Sequence, residues 1–219
     1  MENNKDLRYA LLQATRYDVD HAKKCYDFVV GEKPVEPTAK RPDGIYYILN
    51  TPEGRVAKEY RTQLSDTERE QCIGIGVQRR GVSFCVALYE HDDVELLPDN
   101  KKAGKRARYL SRECDAIHDY NSEVNTSLLI EDNPALGEIV GDGWYIPALG
   151  VLEEIAWLRD EINQALKEVD GDPLTDKVYW SSTEYSAAVA WGVNFSNGGT
   201  NGNNLYKYSG TAVRAVAAF

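Results

Sequence analysis

Four acidic residues, Glu153, Glu154, Asp160 and Glu161, stand close together between Leu149 and Leu166. Paired carboxylates can do acid–base work when a pocket sets their pKa values apart. At helical spacing and without a partner set, these read as a solvated helix face. Ser181, Ser182 and Ser186 offer hydroxyls, but no histidine lies near them and no G-x-S-x-G occurs. Gly74 and Gly76 form only IGIG in a strand-like run, with no following helix to cradle a phosphate. Cys25, Cys72, Cys85 and Cys114 make no CxxC pair, and His21, His91 and His118 are scattered. The cysteines read as free thiols, and the sequence implies no metal site and no cofactor.

The stretch from Tyr179 to Phe219 offers a different chemistry, that of non-covalent recognition. From Asn194 to Thr211 there are five Asn, four Gly, two Ser, two Thr and two Tyr, and the only charge is Lys207. Turn chemistry selects such residues. Binding surfaces select them too, because short polar groups hydrogen-bond adaptably and Tyr adds rigid amphipathic area. The run is framed by Tyr179, Trp180, Trp191, Val193, Phe195, Val213, Val216 and Phe219. The aromatic cluster Trp144, Tyr179, Trp180, Trp191 and Phe195, at strand spacing, reads as core. Glu184, a lone acid between aromatic segments, reads as structural: a cap on backbone donors or a partner for Arg214.

The chain has 219 residues and a net charge of −10. That balance excludes phosphate-backbone binding, which needs concentrated Lys and Arg, so no nucleic acid is expected. Residues 177–219 set Lys177, Lys207 and Arg214 against Glu184, a net of +2, which leaves −12 on the first 176. Recognition at the C-terminal end would therefore rest on shape, stacking and hydrogen bonds. No apolar run reaches membrane-spanning length. The opening MENNKDLRYALLQ has no long apolar stretch, so no signal peptide is visible. The expectation is a cytoplasmic or phage-virion protein, with the cell surface reached only by another route.

The elements that must position these residues follow from periodicity. Residues 5–30 read as a helix, and Gly31 to Pro42 as a proline-rich linker. Ile45–Leu49 reads as a strand and Asn50–Gly54 as a turn. Cys72–Val77 and Val82–Leu88 read as a hairpin with both faces buried. Lys101–Tyr120 reads as a helix with a basic start. Gly141–Pro147 reads as a turn and a short strand, with Pro147 in the first turn of a helix. That helix continues through Leu149, Leu152, Ile155, Ile162, Leu166 and Val169 and ends near Gly171. Strands alternating with Gly/Asn turns fill the rest.

The pieces GWYIPALGVLEEIAWLRDEINQAL, YWSSTEYS, AWGVNFSNG and VRAVAAF together resemble a known lineage. They are similar to the C-terminal C-type-lectin-like domains of variable proteins in bacterial and phage diversity-generating retroelements. They also resemble the related fibrobacter-succinogenes-paralogous surface domains. The resemblance covers about residues 43–219. It implies an α+β, C-type-lectin-like fold with mixed and antiparallel strands, two main helices and long irregular loops. Residues 1–42, the N-terminal helix and linker, would pack on that domain or extend it.

In such families an error-prone reverse transcriptase rewrites adenines in the last coding stretch, so Asn codons diversify. The resemblance implies a variable region at 179–219. Its fixed scaffold would be Trp180, Ser181, Ser182, Thr183, Glu184, Trp191, Phe195, Val213, Arg214 and Phe219. Its variable, ligand-binding positions would be Ala187, Ala188, Val189, Gly192, Asn194, Ser196, Thr200, Asn201, Asn203, Asn204, Tyr206 and Tyr208. The implied function is non-enzymatic binding of a protein or cell-surface ligand, with homo-oligomerisation open. The EPN and WND motifs of calcium-dependent sugar binders are absent.

Two other readings compete. One is an enzyme of the formylglycine-generating fold family, whose chemistry needs cysteines near the C-terminus; none follows Cys114. The other is a structural virion or surface-assembly component. The aromatic frame generates a first prediction. Trp191→Ala should lower stability by roughly 3–5 kcal/mol in denaturant unfolding, the cost of truncating a large core ring.

Overall fold

The run IYYIL lies within β1 (Gly44–Thr51), in a computed structural model that describes residues 41–219 apart from 105, 107, 108 and 202–204. The helix read over 5–30 and nearly all of the linker lie outside the described residues. β-branched and aromatic side chains favour the strand. A turn at Asn50–Gly54 returns the chain antiparallel as β2 (Gly54–Glu59). A capping box then starts α1 (Asp66–Glu70). The Ser65 hydroxyl accepts from the Glu68 N–H, and the Glu68 carboxylate accepts from the Ser65 N–H at 2.9 Å.

β3 (Cys72–Arg79) and β4 (Val82–Ala87) form the expected hairpin. Its two turn residues, Arg80 and Gly81, have φ of 49° and 84°. Positive φ at both positions matches the right-handed twist of paired strands. The glycines of IGIG serve close packing. A Cβ on Gly74 would fall 2.4 Å from the Val86 carbonyl oxygen, and one on Gly76 would fall 2.7 Å from Ile48 Cδ1.

These strands join β10 (Val216–Ala217) in an antiparallel sheet of order β10-β4-β3-β1-β2. The second sheet holds β5 (His91–Val94), β6 (Val178–Glu184), β7 (Ala190–Asn194), β8 (Gly199–Asn201) and β9 (Thr211–Val213). Its order is β5-β9-β6-β7-β8, with β6 and β9 parallel and the other pairs antiparallel. Among the described residues there are five further helices. These are α2 (Glu113–Ala116), α3 (Ser122–Asp132), α4 (Ala135–Val140), α5 (Leu149–Trp157) and α6 (Arg159–Glu168). The class is α+β.

Two helical expectations need correction. The helix read over Lys101–Tyr120 is only α2; the described residues from Lys101 to Leu110 are irregular. Their polar groups bond to distant parts of the chain instead of to the next helical turn. The Gly104 N–H donates to Asp132, the Leu110 N–H to the Glu184 carbonyl, and the Leu110 carbonyl accepts from Trp191 Nε1. The single helix after Pro147 is two, α5 and α6, divided at Leu158 (φ −99°, ψ 16°). The bend lets Arg159 donate to the carbonyls of Leu174 and Phe195. Pro147 precedes α5, and its carbonyl accepts from the Ser182 N–H.

Among the described residues three apolar clusters form, and the two larger ones lie under the helices. Tyr47, Ile75, Val77, Leu152, Ile155, Ile162, Leu166, Tyr179 and Trp191 fill the first, under α5 and α6. Trp180, Leu96, Leu129, Leu136, Ile146 and Val213 fill the second, under α3 and α4. Tyr179, Trp180, Trp191 and Phe195 are thus core, as their spacing implies, and Trp144 is half-buried. Gly74→Ala offers a test of the hairpin packing. The Val86 carbonyl is backbone and cannot move alone. A loss of about 1–3 kcal/mol is expected, read as a lower denaturation midpoint.

Candidate binding face

The WSSTE run of β6 is a row of pins, and all but Ser181 reach other segments. Trp180 Nε1 donates to the Val94 carbonyl at 2.8 Å. The Ser181 hydroxyl accepts from the Thr183 N–H, and the Ser182 N–H holds Pro147. The Thr183 hydroxyl donates to Asp119 at 2.8 Å and accepts the Leu149 N–H at the start of α5. Asp119 is itself buried and also accepts from Asn121 and Asn125. Ser181, Ser182, Thr183 and Asp119 are all buried in the packing, and the two serines do not line an open cleft.

Glu184 ends the row and corrects its expected partnership. It accepts from Arg106 Nε at 2.5 Å and from Lys207 Nζ; Arg214 is elsewhere. Arg106 also bonds Asp132. Arg214, fully buried, donates to the carbonyls of Ala87, Leu88 and Asp172 and to Glu90 at 3.1 Å. Burial raises the Glu90 carboxyl, but hydrogen bonds from Lys177, Tyr179 and Arg214 outweigh it and leave the pKa lowered. Glu184 and Arg214 both have structural partners, and neither is the other's.

The positions read as variable follow β6 in the chain. Ala187 and Ala188 are exposed in the loop between β6 and β7. That loop is closed by the N–H groups of Tyr185 and Ser186, which both donate to the Val189 carbonyl. Val189 and Gly192 face inward. Val189 bridges Tyr206, and a Cβ on Gly192 would meet Leu205 Cδ2 at 2.6 Å and the Tyr179 carbonyl at 2.8 Å. Asn194 and Ser196 build the turn between β7 and β8. The Asn194 side-chain oxygen accepts from both the N–H and the hydroxyl of Ser196. Thr200 is half-buried in β8 and Asn201 ends that strand. Asn203 and Asn204 lie outside the described residues. Tyr206 and Tyr208 are 44% and 43% exposed, with rings stacked 5.2 Å apart at 15°.

Two of the four acidic groups, Glu153 and Glu154, are less solvated than the sequence implies. Glu154 pairs with Arg79 at 2.7 Å, beside the exposed Trp157. Glu153 sits near Glu113, whose carboxylate accepts from the Thr200 hydroxyl at 2.7 Å. Burial first, then the charges of Glu113 and Glu154, raise the Glu153 pKa, with the nearby Thr200 hydroxyl opposing them. Sequence reasoning missed Arg106, Asp119, Glu90 and Glu113 as anchors of this region. Only Asp119 leaves a local trace, a D-x-N pattern ahead of α3.

A two-sheet α+β domain with a C-terminal segment held from beneath defines the class. No family model and no curated protein matches the sequence. Among solved structures the chain is similar to a fimbrial protein from Bacteroides ovatus, with a TM-score of 0.52 and 16% identity. The match covers 82% of this chain and 49% of that one, so this chain spans about half its length. A likeness at that identity concerns the fold alone.

Glu153 generates a pH prediction. Its raised pKa means the folded state holds the proton more tightly than the unfolded chain. Stability from this group is full below the unfolded carboxyl pKa and is lost as pH rises through the folded one. Glu153→Gln keeps the shape without the charge. Its melting temperature should gain on the parent as pH rises from about 4 towards neutrality. Parallel curves for the two proteins would contradict this.

Proposed function

We propose that the domain is a non-enzymatic binding module that presents residues 186–208 to a protein or cell-surface ligand. The observation that carries this reading is a contrast within one segment. Its composition is that of a loop, yet the buried Lys207 ties it to Glu184 and to the carbonyls of Ala187 and Ala188, while Ala187, Ala188, Tyr206 and Tyr208 stand outward. Rigid aromatic area beside small adaptable groups suits recognition at low entropic cost. The surface groups of the segment carry little charge, because Lys207 is buried against Glu184.

The finer reading is a C-type-lectin-like scaffold diversified by a retroelement. It is supported by the resemblance in WSSTE and VRAV and by inward framework residues interleaved with outward ones. On this reading Val189 and Gly192 belong with the framework. Neighbouring DNA tests the diversification directly. A reverse-transcriptase gene and a near-copy of the 179–219 coding stretch, differing only at adenines, are expected. A surface-assembly component is the second reading, favoured by the fimbrial neighbour. It predicts concentration-dependent self-association in sedimentation.

The binding reading predicts the behaviour of Ala187→Asp/Tyr206→Ala/Tyr208→Ala. Exposed changes shift stability by within about 0.5 kcal/mol each. Bead-coupled wild-type protein should retain intact cells from a bacterial panel. The triple variant, folded to the same melting profile, should lose at least about tenfold of that retention, equivalent to 1.4 kcal/mol. Equal retention by both would remove the face from consideration.

A further inference from the structure

Between the two exposed tyrosines stands a lysine that is almost completely dry. Lys207 is 1% exposed, and its neighbours Tyr206 and Tyr208 are nearly half exposed. Its Nζ reaches Glu184 at the end of β6 and donates to the Ala187 carbonyl at 3.0 Å. Its backbone N–H donates to the Ala188 carbonyl at 3.0 Å, and its carbonyl accepts from the Leu97 N–H at 2.9 Å. One residue thus joins three segments: the 186–189 loop, the 205–209 turn and the chain after β5. The ion row continues from Glu184 to Arg106 and Asp132, so its four charges alternate in sign and cancel.

Filling the same space with an apolar side chain would avoid the cost of drying an ammonium. Burial lowers the Lys207 pKa, and Glu184 opposes it. What the ammonium adds over an apolar filler is direction. Its donors can be satisfied only when the 205–209 turn lies over the 186–189 loop with residue 207 pointing in. Inward residue 207 turns residues 206 and 208 outward, and the Ser209 N–H closes the turn on the Tyr206 carbonyl at 2.8 Å. The two rings then stack with each other over the lock.

We propose that Lys207 is a positioning residue that fixes Tyr206 and Tyr208 as a preformed ledge on the binding face. The ledge is offered as part of the binding site on the reading above, but its geometry can be measured without any ligand. A failure of binding and a failure of positioning are therefore separate results.

The test uses the full chain with isotope-labelled tyrosines and ring–ring nuclear Overhauser contacts. Wild type should show Tyr206–Tyr208 contacts. Lys207→Met leaves Glu184 short of a cation and should be poorly stable. Lys207→Met/Glu184→Gln restores neutrality by leaving the Arg106–Asp132 pair. The double variant should fold, lose the ring contacts and exchange the Leu97 amide at least about tenfold faster. A folded double variant that keeps the ring contacts would overturn the proposal. So would a wild-type chain in which the Lys207 amide exchanges more than about tenfold faster than the Leu97 amide, because one lock must open as one unit. That second measurement needs no variant.

Discussion

The turn that carries Tyr206 and Tyr208 depends on a short row of buried ions being complete. Asp132, Arg106, Glu184 and Lys207 lie in sequence from α3 to the 205–209 turn, with side-chain exposures of 7%, 4%, 9% and 1%. Such groups are tolerated only when each has its partner, since one unpaired buried charge costs several kcal/mol. The row therefore acts as a unit. It ties together the irregular segment around Arg106, the end of β6 and the turn carrying the tyrosines. Local propensity would leave each of these free.

β6 is the element through which that unit reaches the rest of the fold. It lies between β9 and β7, and its side chains alternate between two apolar clusters. Tyr179 enters the cluster under α5 and α6, and Trp180 enters the one under α3 and α4. The Thr183 hydroxyl fixes both the start of α5 and the loop at Asp119. A strand seven residues long thereby sets the relative placement of both helical layers and of the outer face.

The parts legible in the sequence are those decided by neighbours along the chain. IYYIL, the β3–β4 hairpin and the aromatic core all follow from strand composition and turn residues. The segment at Lys101–Leu110 was illegible because its determinants are remote. Arg106 finds Asp132 and Glu184 at separations of 26 and 78 residues. Arg214 finds Glu90 across 124 residues, which no local pattern distinguishes from Glu184. At the face, composition marked the segment, but only strand register could separate Val189 and Gly192 from Ala187 and Ala188. Asn194 and Ser196 have the polar character of the displayed set, yet their side chains are engaged in a turn.

The lock grips main chain. Lys207 holds the carbonyls of Ala187 and Ala188, and the Ala190 N–H meets the Leu205 carbonyl. A carbonyl is the same in every amino acid. The outward side chains at 187 and 188 are thus uncoupled from the contacts that shape their loop, much as type can be changed in a fixed printing frame. At these two positions side-chain chemistry and loop layout rest on different groups. Such a domain can change what it says without changing how the page is set.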